Sequence, residues 1–280
     1  MREAVIVSTA RTALTKAARG AFNNTHGIKL AAHSIEHAIA RAGIDPAEVD
    51  DVILGNAAQS GTTGFNIARN AALAAGCPVT TSGTSVNRFC SSGLQTLAMG
   101  AGRIIAEGVD VMVTGGVESI SLPGTSDVKE SVEPELYGKY PGLWYPMIKT
   151  ADIVADRYSI SREAQDEYSL ISQQRTAAGQ ETGAFDDEIV PMNTIMKVKN
   201  KETGEITEQA AVADKDDCNR PSTTIEGLAS LNPIMGEDAF ITAGNASQLS
   251  DGSSAQVLME RSEAERRGLD ILGTFRGFAV

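Results

Sequence analysis

Val86-Asn87-Arg88-Phe89-Cys90-Ser91-Ser92-Gly93-Leu94 is the stretch on which the reading of this chain turns. Ser85 to Asn87 is read as the end of a strand. Leu94, Leu97, Ala98, Ala101, Ile104 and Ile105 then recur at helical spacing until the run stops near Gly108. Cys90 therefore lies at a strand-to-helix junction, at the helix N-terminus. Unpaired backbone N–H groups gather there, and the helix dipole adds partial positive charge. Both favour thiolate over thiol, which raises nucleophilicity. Ser91, Ser92 and Gly93 are small, so an acyl group can approach. The competing reading is a buried, inert thiol. Position alone weighs the two equally.

Working outward, Glu3 to Ser8 is rich in β-branched residues and reads as a buried strand. Ile28, Ala31, Ile35, Ala38, Ile39 and Ala42 mark a helix stopped by Gly43. Asp50 to Leu54 is another strand, and Asn66 to Ala75 a small-residue helix ending at Gly76. Val109 to Thr114 is a further strand ahead of Gly115-Gly116. Strands alternating with helices predict an α/β layered domain with a mixed or mostly parallel sheet.

The pattern changes after Ser119. Pro123, Pro134, Pro141 and Pro146, of nine prolines in the chain, fall in residues 120–149, which read as an irregular, loop-rich stretch. Ser161 starts a polar helix to about Glu181, with Glu163 in its first turn to suit the dipole. Met196 to Gln209 alternates around Asn200 to Gly204 like an exposed hairpin, the kind of insert that covers a site. From Ser253 onward, an Ala-Gln-Val-Leu-Met-Glu run and a charged helix around Glu263 to Gly268 restore the α/β pattern. Ile271 to Val280 opens on a strand-like segment. That predicts either a strand completing the fold or a longer protein.

At 280 residues, with 42% hydrophobic and 21% charged, the chain reads as an ordinary globular protein. A net charge of -12 disfavours nucleic acid and anionic membrane as partners, while leaving room for a small anionic ligand met by local N–H groups or one Arg. Cys77, Cys90 and Cys218 form no C-x-x-C pair, which argues against a disulfide framework or zinc. The usage fits a reducing, cytoplasmic setting. His33 and His37 share one helix face, but Ser34 stands where a metalloprotease helix has Glu, so a partly exposed helix face is expected and no metal. Cys77 reads as structural, and carboxylates beside Cys218 disfavour its thiolate. Asp214, Asp216 and Asp217 read as a solvated loop.

The motif around Cys90 resembles the nucleophile motif of the thiolase family. Three further matches follow in that family's order. They are Gly115-Gly116-Val117-Glu118-Ser119, then Arg220-Pro221-Ser222-Thr223-Thr224 with Glu226-Gly227-Leu228-Ala229, then Thr242-Ala243-Gly244-Asn245-Ala246-Ser247 with Ser250-Asp251-Gly252. The resemblance breaks the tie at Cys90. It implies a thiolase-like layered α/β/α domain with an inserted loop domain. Residues 1–119 and 249–270 would form the N-terminal domain and 120–248 the coenzyme-A-binding loop domain. Residues 271–280 would start a C-terminal domain. It further implies that Cys90 takes an acyl group from acyl-CoA. Arg220 would lie near the nucleotide end of coenzyme A, in the loop that also carries Thr223. Ala243, Gly244 and Ser247 would line the pantetheine path, and Met147 would lie beside the substrate. Without the ordered matches each has a plain alternative: a surface charge for Arg220, a turn for Gly244, local backbone capping for Asn245 and Ser247. Coenzyme A and acyl-CoA enter as substrates, with no permanently bound cofactor.

The chain also departs from the family. Thiolases complete the site with a Gly-His-Pro segment, a second cysteine and an Asn-Glu-Ala-Phe segment. Here the histidines are His26, His33 and His37, and neither Cys77 nor Cys218 lies in a Gly-rich motif. Half an active site is expected in these residues, with an exposed apolar face that makes the isolated chain sticky or dimeric. Pro146-Met147 is more like degradative than biosynthetic members, placing the chain in fatty acid metabolism. Ser119 to Tyr145 does not match the tetramer-forming loop, which leans toward a homodimer over a tetramer. Two alternatives stand beside the enzyme: a thiolase-like acyl-CoA-binding subunit that needs a partner chain, and a ketoacyl synthase type of condensing enzyme. The Thr-Ala-Gly-Asn signature argues against the latter.

Overall fold

The computed structural model describes residues 2–123 and 131–280. The chain divides into two compact units. The first comprises Met1–Thr125, Asp186–Cys218 and Leu249–Val280, and the second Ser126–Phe185 and Asn219–Gln248.

In chain order the first unit contributes β1 (Ala4–Arg11), β2 (Thr15–Lys16), α1 (Gly27–Ala42), β3 (Asp51–Gly55), α2 (Ile67–Ala74), β4 (Ser82–Val86), α3 (Ser92–Gly102) and β5 (Val111–Glu118). The second unit supplies α4 (Pro134–Lys139), α5 (Met147–Arg157) and α6 (Arg162–Glu181). The chain returns to the first for the hairpin β6 (Met192–Lys199) and β7 (Ile206–Ala213), and to the second for α7 (Ile225–Ala229). It ends in the first with β8 (Ser250–Glu260), α8 (Arg261–Arg267) and β9 (Gly273–Thr274).

The main sheet has the order β4-β3-β5-β8-β1-β9, with β2 also paired to β8. β4, β3 and β5 are parallel, each crossover carrying a helix, α2 or α3. β8 runs antiparallel to β5, β1 and β2, so the sheet is mixed. β9 pairs Thr274 with Val5 and Gly273 with Ile6 at the far edge. α3 covers the face that carries Met112, Thr114 and Leu258, all near Gly100. α1 lies across the other face, where the Ser34 and Ser253 hydroxyls meet at 2.6 Å. Ala4, Ile53, Ala101, Ile104, Met112 and Leu258 form a buried cluster between α3 and the sheet. Burying each larger side chain contributes about 1.5–3 kcal/mol.

Local signals explain the helix limits. Gly43 closes α1 at φ +64, and Gly108 closes the π-helical turn Arg103–Glu107 that continues α3, at φ +80. His26 caps α1, its ring nitrogen accepting the Ile28 N–H. The hairpin forms where expected, with the Asn200 carboxamide oxygen accepting the Glu202 and Thr203 N–H groups.

Three expectations are corrected. Within residues 120–149, Pro134 and Pro141 begin helical turns and Pro146 caps α5. Proline suits a helix start, where its missing N–H costs nothing. Part of that expectation, residues 124–130, lies outside the described residues. Asp214 and Asp217 are exposed as expected, but Asp216 is half-buried and not merely solvated. The Asp216 carboxylate takes the Arg11 guanidinium at 2.8 and 3.0 Å and the Leu14 N–H at 2.7 Å, and Asp217 takes the Lys16 N–H. Lastly, the α/β pattern read from Ser253 onward resumes earlier, in β8 from Ser250, so Asp251 and Gly252 lie inside that strand.

Candidate active site

The five residues between β4 and α3 form a tight, hydrogen-bonded turn. The Phe89 N–H donates to the Asn87 carboxamide oxygen at 2.8 Å, and the Arg88 N–H to the Ser92 hydroxyl at 2.8 Å. The Ser92 hydroxyl in turn donates to the Phe89 carbonyl at 2.6 Å. Phe89 has φ +48, a left-handed conformation that side chains other than glycine seldom adopt. At the centre of this turn Cys90 is exposed, two residues before the first residue of α3. The reading of Cys90 as a buried thiol is thereby excluded.

Small residues let α3 approach the sheet closely. A Cβ on Gly55 would lie 2.4 Å from the Ser92 carbonyl carbon, and one on Gly116 would lie 3.5 Å from the Gly93 Cα. The Thr96 hydroxyl, wholly buried, accepts the Gly115 N–H at 3.1 Å. These contacts set where α3 starts and so where Cys90 stands. Glu118, at the end of β5, accepts the Ala57 N–H at 2.7 Å and the Ala58 N–H at 3.3 Å. The sequence pattern singled out its motif without assigning this contact.

In the second unit, the Thr242–Asn245 turn is built from its own side chains. The Thr242 hydroxyl accepts the Gly244 and Asn245 N–H groups, and the Asn245 oxygen accepts the Thr242 N–H. Asn245 also donates to Asp166, which pairs with Arg162 at 2.8 Å. Local capping is therefore the observed part played by Asn245. Asp152 on α5 accepts the Phe240 and Ile241 N–H groups at 2.8 and 3.1 Å. Gly244 has no left-handed backbone. It is small because a Cβ would lie 2.6 Å from both Leu228 and Leu231. Ala243 and Ser247 are exposed beside it.

Arg220 is exposed, and its backbone N–H donates to Gln173 at 2.6 Å. The Thr223 hydroxyl donates to the Arg220 carbonyl at 2.7 Å, so it closes the Arg220–Thr223 turn. Thr224 then caps α7. Met147 opens α5 and is 69% exposed. Ala243, Gly244 and Ser247 thus share one turn, Arg220 and Thr223 a second, and Met147 a helix start.

The other cysteines differ from Cys90. Burial pushes the Cys77 thiol up from its ordinary value. Burial does the same at Cys218, aided by Asp217 and Asp216 and opposed by a hydrogen bond with the Ser250 hydroxyl. His33 reaches the Val190 carbonyl at 3.2 Å, and its ring meets that of His37 edge-on at 4.5 Å. Among the described residues, no cluster of three or more His, Cys, Asp or Glu is placed to hold a metal ion, and no helix is long and apolar enough to cross a membrane.

Comparison with known proteins agrees with this fold. The sequence profile of the thiolase N-terminal domain matches residues 4–262. The chain is 39% identical to 3-ketoacyl-CoA thiolase of Bacillus subtilis (strain 168), over all of this chain and 71% of that protein. It is also 39% identical to peroxisomal 3-ketoacyl-CoA thiolase 1 of Arabidopsis thaliana, over 99% of this chain and 62% of that one. The crystal structure of Bacillus anthracis acetyl-CoA acetyltransferase superposes with a TM-score of 0.82 at 35% identity, covering 97% of this chain and 69% of that chain. The chain thus spans 62–71% of the length of these relatives. With its Cys90 motif on an exposed turn and its sequence matched from end to end, this chain belongs to the thiolase family.

Proposed function

We propose that the protein is an acyl-CoA acyltransferase that works through an acyl-Cys90 intermediate. The observation that carries this reading is the exposed Cys90 on the left-handed turn at the start of α3. The Cys90 sulfur attacks the thioester carbonyl of an acyl-CoA. A new sulfur–carbon bond forms, the bond to coenzyme A breaks, and coenzyme A leaves as the thiol with the proton from Cys90. The acyl group then passes to a second substrate, which gives ping-pong kinetics. In the Claisen direction the acyl group passes to C2 of a second acyl-CoA. In thiolysis the Cys90 sulfur attacks the 3-keto carbonyl of a 3-ketoacyl-CoA, the C2–C3 bond breaks, acetyl-CoA leaves with the Cys90 proton on its C2, and the thiol of coenzyme A then takes the acyl group. The Arg220–Thr223 turn and the Thr242–Ser247 turn would hold coenzyme A, with Ala243, Gly244 and Ser247 along the pantetheine and Met147 near the acyl group. We read residues 120–248 as the loop domain that carries these turns, with 1–119 and 249–270 as its α/β host and 271–280 as the start of a C-terminal domain. A homodimer in a reducing, cytoplasmic compartment completes the reading.

One observation favours a second reading. His26 caps α1 and His33 bonds Val190, with His37 against it, so these histidines have structural partners. The base that activates Cys90 would then come from residues outside these 280, or from a partner chain in the case of an acyl-CoA-binding subunit.

Intact-protein mass spectrometry before and after acetoacetyl-CoA tests the choice, with Cys90→Ala as control. One acetyl group gained by the wild type and lost in the control supports the acyltransferase. Coenzyme A bound without an adduct sinks the self-sufficient enzyme and leaves the binding subunit.

A further inference from the structure

Phe89 is held in a conformation that its own side chain does not explain. Its φ is +48, yet the ring is 75% exposed and gains little from packing. Such backbone persists only where surrounding contacts over-determine it. Here those contacts are hydrogen bonds. The Ser92 N–H and hydroxyl both donate to the Phe89 carbonyl, at 3.0 and 2.6 Å. The Phe89 N–H is held by the Asn87 oxygen at 2.8 Å. The nitrogen of that same carboxamide donates to the Ala57 carbonyl at 3.0 Å, which fixes which way Asn87 faces. Ala57 is held in turn by Glu118, whose carboxylate accepts the Ala57 and Ala58 N–H groups. A carboxylate suits this place because its oxygens accept two adjacent N–H groups at once, and such bonds are stronger than neutral ones.

We propose that Glu118, acting through Ala57 and Asn87, is a positioning residue that sets the Phe89 turn and thereby the aim of Cys90. The relay links the end of β5 to the turn between β4 and α3 through residues 30 and 61 positions apart. If it breaks, Phe89 returns to an ordinary φ and the Cys90 side chain swings away from the start of α3. The inference rests on Cys90 being the nucleophile.

The test is the rate of Cys90 carbamidomethylation by iodoacetamide, followed by peptide mass spectrometry. It needs neither coenzyme A nor turnover. Buried Cys77 in the same digest reports any loss of fold. Glu118→Ala and Asn87→Ala are each expected to slow Cys90 by about tenfold, the loss that follows from breaking one link of the relay. Because they break one relay, the double variant should stay near that tenfold loss and not approach about a hundredfold. Glu118→Gln, which keeps an acceptor for Ala57, should remain within about twofold of wild type. Where Glu118→Ala opens Cys77, Glu118→Asp replaces it and should still slow Cys90 with Cys77 closed. Unchanged Cys90 labelling in the Glu118 variant, or losses that multiply in the double variant, would overturn the relay. Acetylation by acetoacetyl-CoA is scored separately. A coupled Cys90 that takes no acetyl group would remove the acyltransferase reading and leave the relay standing.

Discussion

Gly55→Ala sets the fold against the site. Gly55 ends β3, which is buried and paired on both sides by β4 and β5. A Cβ there would meet Ser92 backbone at 2.4 Å, where ordinary contact begins at 3.4 Å, so something must move by about 1 Å. The strand is locked on two edges, so the start of α3 is the part that yields. Over-packing of this kind costs about 1–3 kcal/mol. That is affordable for a domain stable by about 5–15 kcal/mol, so the protein should still fold. Cys90 lies two residues before Ser92 and moves with it. A shift of about 1 Å at a reacting group can cost about a hundredfold in rate. Urea unfolding followed by circular dichroism gives the first quantity, and the rate of Cys90 acetylation from acetoacetyl-CoA the second. Gly102→Ala is the control, since nothing lies within 4 Å of its Cβ position. The expected result is a modest fall in midpoint with a rate loss of about two orders of magnitude, and neither change in the control. Acetylation at the wild-type rate in Gly55→Ala would show that α3 absorbs the methyl without moving Cys90, and the reasoning would be wrong.

Asp251 is wholly buried and accepts the Ile120 and Ser121 N–H groups and the Ser121 hydroxyl. Asp251→Ala should destabilise by about 3–5 kcal/mol, through buried donors left unpaired, and Asp251→Asn by clearly less because one acceptor remains; equal urea midpoints for the two variants would refute this. Burial holds the His33 imidazole below its ordinary value of 6.5, opposed by the Val190 carbonyl and Glu36 and aided by His37. The folded state therefore binds this proton less readily than the unfolded one, and the stability it contributes is whole above 6.5 and lost as pH falls toward the folded value. His33→Gln, which keeps a donor for Val190 and does not titrate, should flatten the midpoint-against-pH curve between about pH 7 and pH 5. Parallel curves for the two proteins would rule this out.

Much of the α/β framework was legible because its signals are local. Helical spacing marked α1 and α3, and Gly43 and Gly108 ended them as left-handed stops. The hairpin announced itself by alternation and by Asn200 and Gly204 at its turn. Pro134, Pro141 and Pro146 misled because proline marks both loops and helix starts, and the composition of residues 120–149 does not distinguish the two. The site was legible as motifs and not as contacts. Cys90 could be placed at the start of a helix from neighbouring residues, but nothing in its neighbourhood told of burial or exposure.

The sequence by itself determined the family, the strand-helix alternation and the identity of the candidate nucleophile, since ordered motifs and short-range periodicity carry that information. Only the tertiary structure decided which polar groups meet. Glu118 with Ala57, Asp251 with Ser121, and Asp216 with Arg11 lie between 61 and 205 positions apart. A carboxylate in the linear chain is equally suited to water. It becomes a support for the site only where the sheet brings an N–H or a guanidinium to it and excludes the solvent that would otherwise satisfy both.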